Sequence, residues 1–145
     1  MRNTELAKLD GLIGRWTTTM SQAWFLEPPG AEVPGTTTVE WLGESLLFVR
    51  TQLGEGAHHS EMSLVVGRSD PNDAYVALYQ DERGVCRQYA MTFDGVHWTL
   101  TRKDPDFHQR FIADVEKDRI LGRWEASEDE GRTWRKDFDL TFERT

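Results

Sequence analysis

Short runs of alternating apolar and polar residues, separated by turn sequences, fill the chain from residue 14 onward. The runs are rich in Val, Thr, Tyr, Phe and Trp, and turns such as "DPND", "DERG", "DG" and "SEDEG" lie between them. Gly accepts positive φ, Pro fixes φ, and Asp or Asn bonds nearby backbone, so each turn has a physical cause. The pattern predicts ten strands, at 14–20, 36–42, 45–52, 61–67, 74–80, 85–92, 96–103, 107–115, 119–126 and 132–143.

A short helix is predicted before the first strand, at residues 4–9, with Thr4 as its N-cap. Consecutive strands with short turns indicate an all-β fold, an antiparallel up-and-down meander. Closure into a barrel would remove the exposed edges of such a meander, and an open sandwich is the alternative. The prediction is one domain, 1–145, a ten-stranded barrel whose long loops 27–35 and 53–61 border the mouth as a lid.

Pairing extended outward from the turns divides the strand residues into two faces, because side chains alternate along a strand. A bulge or an odd-length loop is needed before the last strand to keep Phe138 in phase with Trp124. The face with the large apolar side chains is predicted to be the interior: Val39, Trp41, Leu46, Phe48, Met62, Leu64, Val76, Leu78, Tyr89, Met91, Trp98, Leu100, Phe107, Phe111, Trp124, Trp134 and Phe138.

Five polar side chains share this apolar face, and no Asp or Glu does: Arg50, Arg87, Arg102, Gln109 and Lys136. An arginine buried without a partner is costly, so Arg87 requires water or an anionic ligand such as a carboxylate. The alternative is an arginine that reaches outward at the barrel mouth. Arg50, Arg102 and Lys136 are interpreted as rim residues.

A ten-stranded barrel has room for a small ligand, and an aromatic cavity with a few polar groups is typical of such sites. The predicted function is binding of a small hydrophobic or amphipathic anion, such as a fatty or aromatic acid. The candidate ligand-binding residues are Arg87, Tyr89, Trp98, Gln109, Phe111, Trp41, Phe48 and Trp134.

Two alternatives to simple ligand binding remain open. One is an isomerase or cyclase on the same barrel, in which Arg87 lowers the phenol pKa of Tyr89; no catalytic residue is assigned. The other is a ligand-free dimeric scaffold. A homodimer is expected through an apolar band assigned to the outer face, which is the usual mark of an interface: Leu47, Val49, Val65, Tyr75 and Tyr79.

Composition limits the binding partners and the cellular location that we expect for the protein. The net charge of −8 argues against binding nucleic acid or an anionic membrane. A single cysteine, Cys86, excludes an internal disulfide, and the N-terminus lacks the apolar core of a signal peptide, so a cytoplasmic location is expected. Adjacent histidines on a strand point in opposite directions, so His58, His59 and Glu61 are not expected to bind a metal.

The sequence "GRW" at Gly14–Trp16 and the late Arg144 resemble marks of the calycins, the superfamily of lipocalins and fatty-acid-binding proteins. The chain looks most similar to the bacterial lipocalin-like barrels of that group. The resemblance implies that Trp16 packs with Arg144 to close one barrel end and that the ligand is small and apolar or amphipathic. Nitrobindin, a haem-binding ten-stranded relative with a late histidine ligand, is similar in outline. Here His108 has outward parity, so neither haem nor another cofactor is expected.

Overall fold

The computed structural model describes residues 3–28 and 30–145, apart from the side chain of His58, and this part of the chain contains ten strands in one closed barrel. Each strand runs antiparallel to its neighbours, and β10 pairs with β1 to complete the closure. The predicted up-and-down barrel is therefore confirmed. The strands are β1 Gly14–Ser21, β2 Val33–Leu42, β3 Leu46–Leu53, β4 Ser60–Ser69, β5 Ala74–Asp81, β6 Cys86–Phe93, β7 His97–Lys103, β8 His108–Val115, β9 Arg119–Ser127 and β10 Arg135–Arg144.

A short helical segment closes one end of the barrel. Helix α1 (Thr4–Ala7) continues as a 3-10 helix over Lys8–Leu12, and Leu6, Leu9 and Leu12 are buried. Asn3, rather than the expected Thr4, caps α1, because its side chain accepts a hydrogen bond from the Glu5 amide at 2.8 Å. None of the described helices is long and apolar enough to cross a membrane.

Arg144 and Trp16 pack together at this closed end, as the resemblance implies. The two residues pair across β1 and β10, and the guanidinium lies 4.1 Å from the centroid of the fully buried indole ring. The guanidinium also donates to the backbone carbonyls of Ile13 at 2.7 Å, Gly11 at 2.9 Å and Lys117 at 3.1 Å. One side chain thus connects the helical segment, the first and last strands and the β8–β9 turn.

The opposite end carries the loops that follow β1, β3, β5, β7 and β9. The two loops predicted to border the mouth, 27–35 and 53–61, lie at this end, although β2 already begins at Val33 and residue 29 lies outside the described residues. The barrel therefore has one end plugged by helix and one end surrounded by loops.

The inward face was predicted correctly for β6 to β9. The β8–β9 register is as predicted, with Phe111 opposite Trp124. The β6–β7 and β7–β8 pairings are each displaced by two residues, which keeps every side chain on its face. The buried inward residues of these strands include Tyr89, Met91, Trp98, Leu100, Phe111 and Trp124.

The inward face of β3 was predicted wrongly, because the β2–β3 turn has three residues and not two. Leu42 pairs with Leu46, and Gly43 takes a positive φ of 69° in the turn between them. A shift of one residue reverses the two faces of a strand. Leu47 and Val49 are therefore buried, whereas Leu46 and Phe48 face outward, with Leu46 exposed.

The faces of β5 are reversed for the same reason. Gln80 pairs with Cys86 across a five-residue loop, where a four-residue loop was predicted. Tyr75 and Ala77 are buried, and the predicted core residues Val76 and Leu78 are exposed.

These reversals remove the surface on which the homodimer prediction rested. Leu47, Val49 and Tyr75 are buried inside the barrel, and Tyr79 is half-buried and packs against the core. Only Val65 of that band faces outward, half-buried, opposite Leu78. The predicted band is therefore not an exposed apolar surface.

The last strand contains a bulge, one of the two irregularities that would keep Phe138 in phase with Trp124. The register shifts between Lys136 and Phe138, and Phe138 pairs with Trp124 and packs against the core. Lys136 is exposed and lies 3.2 Å from Asp139. Arg50, also predicted on the inner face, is exposed on β3.

Candidate functional site: a cavity at the open end of the barrel

A cavity of about 450 Å³ opens at the end surrounded by loops. This volume lies within the usual range for small-molecule sites. Its apolar lining includes Met62, Tyr79, Tyr89, Phe107, Trp124 and Phe138. Its charged lining is Asp81, Glu82, Arg83, Arg87, Glu128, Arg135 and Asp137.

Three aromatic rings from β5, β6 and β9 meet at the inner side of this cavity. The ring centroids of Tyr79 and Tyr89 are 6.0 Å apart, and Tyr89 lies 5.7 Å from Trp124. All three pairs among these rings are edge-to-face, the arrangement that the ring quadrupoles favour. The rings therefore form an ordered apolar surface at the inner side of the cavity.

Arg87 lies beside this surface and has neutral partners. Its Nη1 donates to Gln109 Oε1 at 3.4 Å, and the Tyr89 hydroxyl donates to the same oxygen at 2.6 Å. The half-buried Arg87 guanidinium also stacks on Phe107, 5.2 Å from the ring centroid. Within residues 3–28 and 30–145, no carboxylate oxygen lies within 4.0 Å of the Arg87 guanidinium.

Arg102 has the same parity as Arg87 but a different environment. It is buried, and Asp104 and Asp106 lie at 2.6 and 2.9 Å from its guanidinium nitrogens. Both carboxylates come from the "DPD" turn that follows β7, and the Arg102 bond lowers the pKa of Asp106. Arg102 stacks on the Phe107 ring, with 4.7 Å between its guanidinium carbon and the ring centroid. Arg102, which is paired with carboxylates, and Arg87, which has only neutral partners among the described residues, therefore contact the same ring.

Asp81 forms an ion pair with Arg83, another arginine at the mouth of the cavity. Arg83 Nη2 lies 2.6 Å from Asp81 Oδ2, and the Tyr79 hydroxyl donates to the same carboxylate at 2.9 Å. Burial, followed by the bond to Asp81, raises the pKa of Tyr79. Arg83 is therefore committed to a carboxylate of its own chain.

The loop after β1 covers one side of the mouth. Trp24 Nε1 donates to Asp137 Oδ1 at 3.2 Å, and the Phe25 ring lies edge-to-face with Phe138 at 6.0 Å. Arg135 stacks on Trp24 with 5.1 Å between guanidinium carbon and ring centroid. Both loop rings are exposed and line the cavity, so they can contact a ligand from above.

The phenol of Tyr89 is not a base at neutral pH. Burial raises its pKa, and this effect outweighs the opposing influence of Arg87. Arg87 acts on the pKa of Tyr89 in the expected direction, but the net shift is upward. The phenol keeps its proton and uses it to hold Gln109.

Five of the eight predicted site residues point into the barrel near the aromatic surface. Arg87, Tyr89 and Gln109 line the cavity at the mouth. Trp98 and Phe111 lie deeper and line a second chamber of about 40 Å³. The alternation of side chains between the two faces of β6, β7 and β8 was sufficient to identify these residues from the sequence.

The other three predicted site residues are elsewhere. Trp41 faces inward at the closed end, where its Nε1 donates to Asp10 at 2.9 Å. Phe48 faces outward because of the β2–β3 turn. Trp134 precedes β10 and stacks outside the barrel with Arg110, 3.9 Å from guanidinium carbon to ring centroid.

Sequence reasoning missed Tyr79, Trp24 and Phe25 as cavity residues. Tyr79 was placed outside with the rest of β5, and the other two lie on a loop, where no periodicity marks a face. Among the described side chains, no group of three or more His, Cys, Asp or Glu residues is arranged to hold a metal ion.

The barrel is similar to the crystal structure of Rv2717c from M. tuberculosis, with a TM-score of 0.70 over 100% of this chain and 99% of that chain. The two sequences are 10% identical, so the likeness shows the fold alone. A de novo designed fluorescence-activating β-barrel has a TM-score of 0.46 at 13% identity, over 92% of this chain and 93% of that chain. No protein-family model matches the sequence, and no curated protein matches it significantly.

Proposed function

We propose that the barrel binds a small amphipathic anion, with a carboxylate at Arg87 and an apolar body against Tyr79, Tyr89 and Trp124. One observation carries the proposal: a half-buried guanidinium with only neutral partners among the described residues lies beside an aromatic cavity. A charge in that position is stabilised by an opposite charge, and a carboxylate matches the fork of donors on guanidinium.

Gln109 adds a second donor to the anion site. Its Oε1 is occupied by Tyr89 and Arg87, so the side-chain amide is held with Nε2 free of acceptors from the described residues. A carboxylate beside Arg87 can accept from Nε2 as well. Tyr89 then acts as a positioning residue for the amide.

The charge of the protein restricts the class of anion. Four carboxylates line the mouth, and the net charge is −8, so a polyanion would be repelled. A single carboxylate on a large apolar body gains from burial on the rings and meets the least repulsion. This ligand class also agrees with the resemblance to the calycins.

The proposal is tested by isothermal titration calorimetry with dodecanoate and with dodecanol, its uncharged analogue. Hydrogen bonds to charged groups contribute about 1.5–3 kcal/mol, and we take the lower end because Arg87 is only half-buried. Arg87→Met should therefore weaken dodecanoate binding by about tenfold and leave dodecanol binding nearly unchanged.

Arg123→Met is the matched control. Arg123 is exposed, lies 3.3 Å from Glu125 and does not line the cavity, so the same change of charge should leave dodecanoate affinity unaltered. Equal affinities of the two variants for dodecanoate, or no binding of dodecanoate to the wild type, would refute the proposal.

A further inference from the structure

A second chamber lies below the cavity at the mouth, inside the barrel. Its volume is about 40 Å³, close to the space that one water molecule or one hydroxyl group occupies. Met62, Tyr79 and Trp124 line both spaces and so form the partition between them. Met62 is unbranched and can adopt alternative rotamers, which makes it the adaptable part of the partition.

Trp98 lines this chamber, and its indole N–H is buried without an acceptor from the described residues. Its side chain is 4% exposed, and its Nε1 has no hydrogen-bond partner within the described part of the chain. Buried indole N–H groups are normally paired, because an unpaired one loses its bond to water without replacement.

A row of buried hydroxyls ends at the same chamber. Thr18 bonds Thr37 at 2.7 Å, and Thr37 bonds Thr51 at 2.8 Å, across β1, β2 and β3. Each hydroxyl has one proton and two lone pairs, so the hydroxyl at the end of the row retains capacity for a further bond. Thr51 is that end residue, and it lines the chamber.

We propose that the inner chamber is a subsite for one oxygen at the distal end of the ligand. This inference rests on the proposed function, and it specifies the ligand as an amphipathic acid with a hydroxyl or carbonyl group far from its carboxylate. Trp98 Nε1 donates to that oxygen, and Thr51 pairs with it.

The spacing of the two sites suits a chain-like acid. Trp98 lies opposite Phe93, and Phe93 is six residue steps from Arg87 along β6. At about 3.4 Å per residue this separation is roughly 20 Å between backbones, and the long side chains at both ends shorten it. An extended acid of a dozen carbons is roughly 14 Å long, so it matches the separation once the two side chains have taken up the remaining length.

The test compares 12-hydroxydodecanoate with dodecanoate by calorimetry in the wild type and three variants. In the wild type the hydroxy acid should bind about 3- to 10-fold more tightly, because the chamber accepts its oxygen. Trp98→Phe and Thr51→Val should abolish this preference. Thr18→Val, at the other end of the hydroxyl row and outside the chamber, should retain it.

A second readout is the indole N–H resonance of Trp98, which should shift with the hydroxy acid and not with dodecanoate. Preference retained in both Trp98→Phe and Thr51→Val would overturn the inference. Arg87-dependent binding of both acids without preference would also overturn the inference, and it would leave the proposed function intact. If neither acid binds the wild type, the proposed function fails first, and the subsite fails with it.

Discussion

Replacement of Arg144 by Met should destabilise the barrel far more than an ordinary surface substitution does. The guanidinium makes three bonds to backbone carbonyls, at 2.7, 2.9 and 3.1 Å, and covers a fully buried indole ring at 4.1 Å. Methionine retains most of the apolar stem but none of these donors. The Arg144 side chain is 28% exposed, so water can reach part of the site. We therefore assign each of the three hydrogen bonds a smaller stabilising free energy than a fully buried bond to a charged group would have.

The expected loss is about 2–4 kcal/mol from the bonds and the stacking together. Such a loss should appear in urea unfolding, followed by tryptophan fluorescence, as a lower midpoint with an unchanged slope. In a domain of this size it should lower the Tm by roughly 6–15 °C.

Arg135→Met is the matched control for this prediction. Arg135 also stacks on a tryptophan, but the Trp24 ring is 59% exposed, and the ion pair with Glu128 is 3.7 Å long and open to solvent. Its replacement should cost less than about 0.5 kcal/mol. If both variants lose the same stability, Arg144 does not hold the closed end together, and the reasoning is wrong.

Two further predictions concern the register and a turn. Leu47→Ala should cost about 2–5 kcal/mol in urea unfolding, whereas Phe48→Ser should cost under about 1 kcal/mol, because Leu47 is fully buried and Phe48 faces outward; the reverse order would contradict the three-residue turn. The Asp94 carboxylate accepts hydrogen bonds from the His97 backbone, which has the larger effect, and from the His97 side chain, and both bonds lower the pKa of Asp94. The same carboxylate raises the pKa of His97. The Asp94 contribution is present above its unfolded pKa of 3.8 and is lost as pH falls through the lower folded value, while the His97 contribution is present below 6.5 and is lost as pH rises through its higher folded value. The Tm difference between wild type and Asp94→Ala should therefore be greatest between about pH 4 and 6.5 and narrow below pH 4, and a difference independent of pH would count against this account.

The sequence by itself determined where the strands are and which face of β6 to β9 is inside. These properties are local: alternation is a property of the extended backbone, and a displacement of two residues, as across the turn at Asp94, keeps every side chain on its face. The same reasoning placed Arg87, Tyr89 and Gln109 together on the inner face, and it required either an odd-length loop or a bulge before Phe138, of which the structure has the bulge.

Tertiary structure decided the rest, because one residue more or less in a turn reverses a whole strand and costs little locally. The turns before β3 and after β5 carry that extra residue, so Leu47 and Tyr79 face inward where Phe48 and Leu78 were expected. The alternation of faces places Arg87 and Arg102 on the same inner face and so could not predict their different environments. The carboxylates of the "DPD" turn reach only Arg102. Which arginine in the barrel keeps only neutral partners among the described residues depends on how the loops fold back over the open end, and this is a property of the assembled barrel.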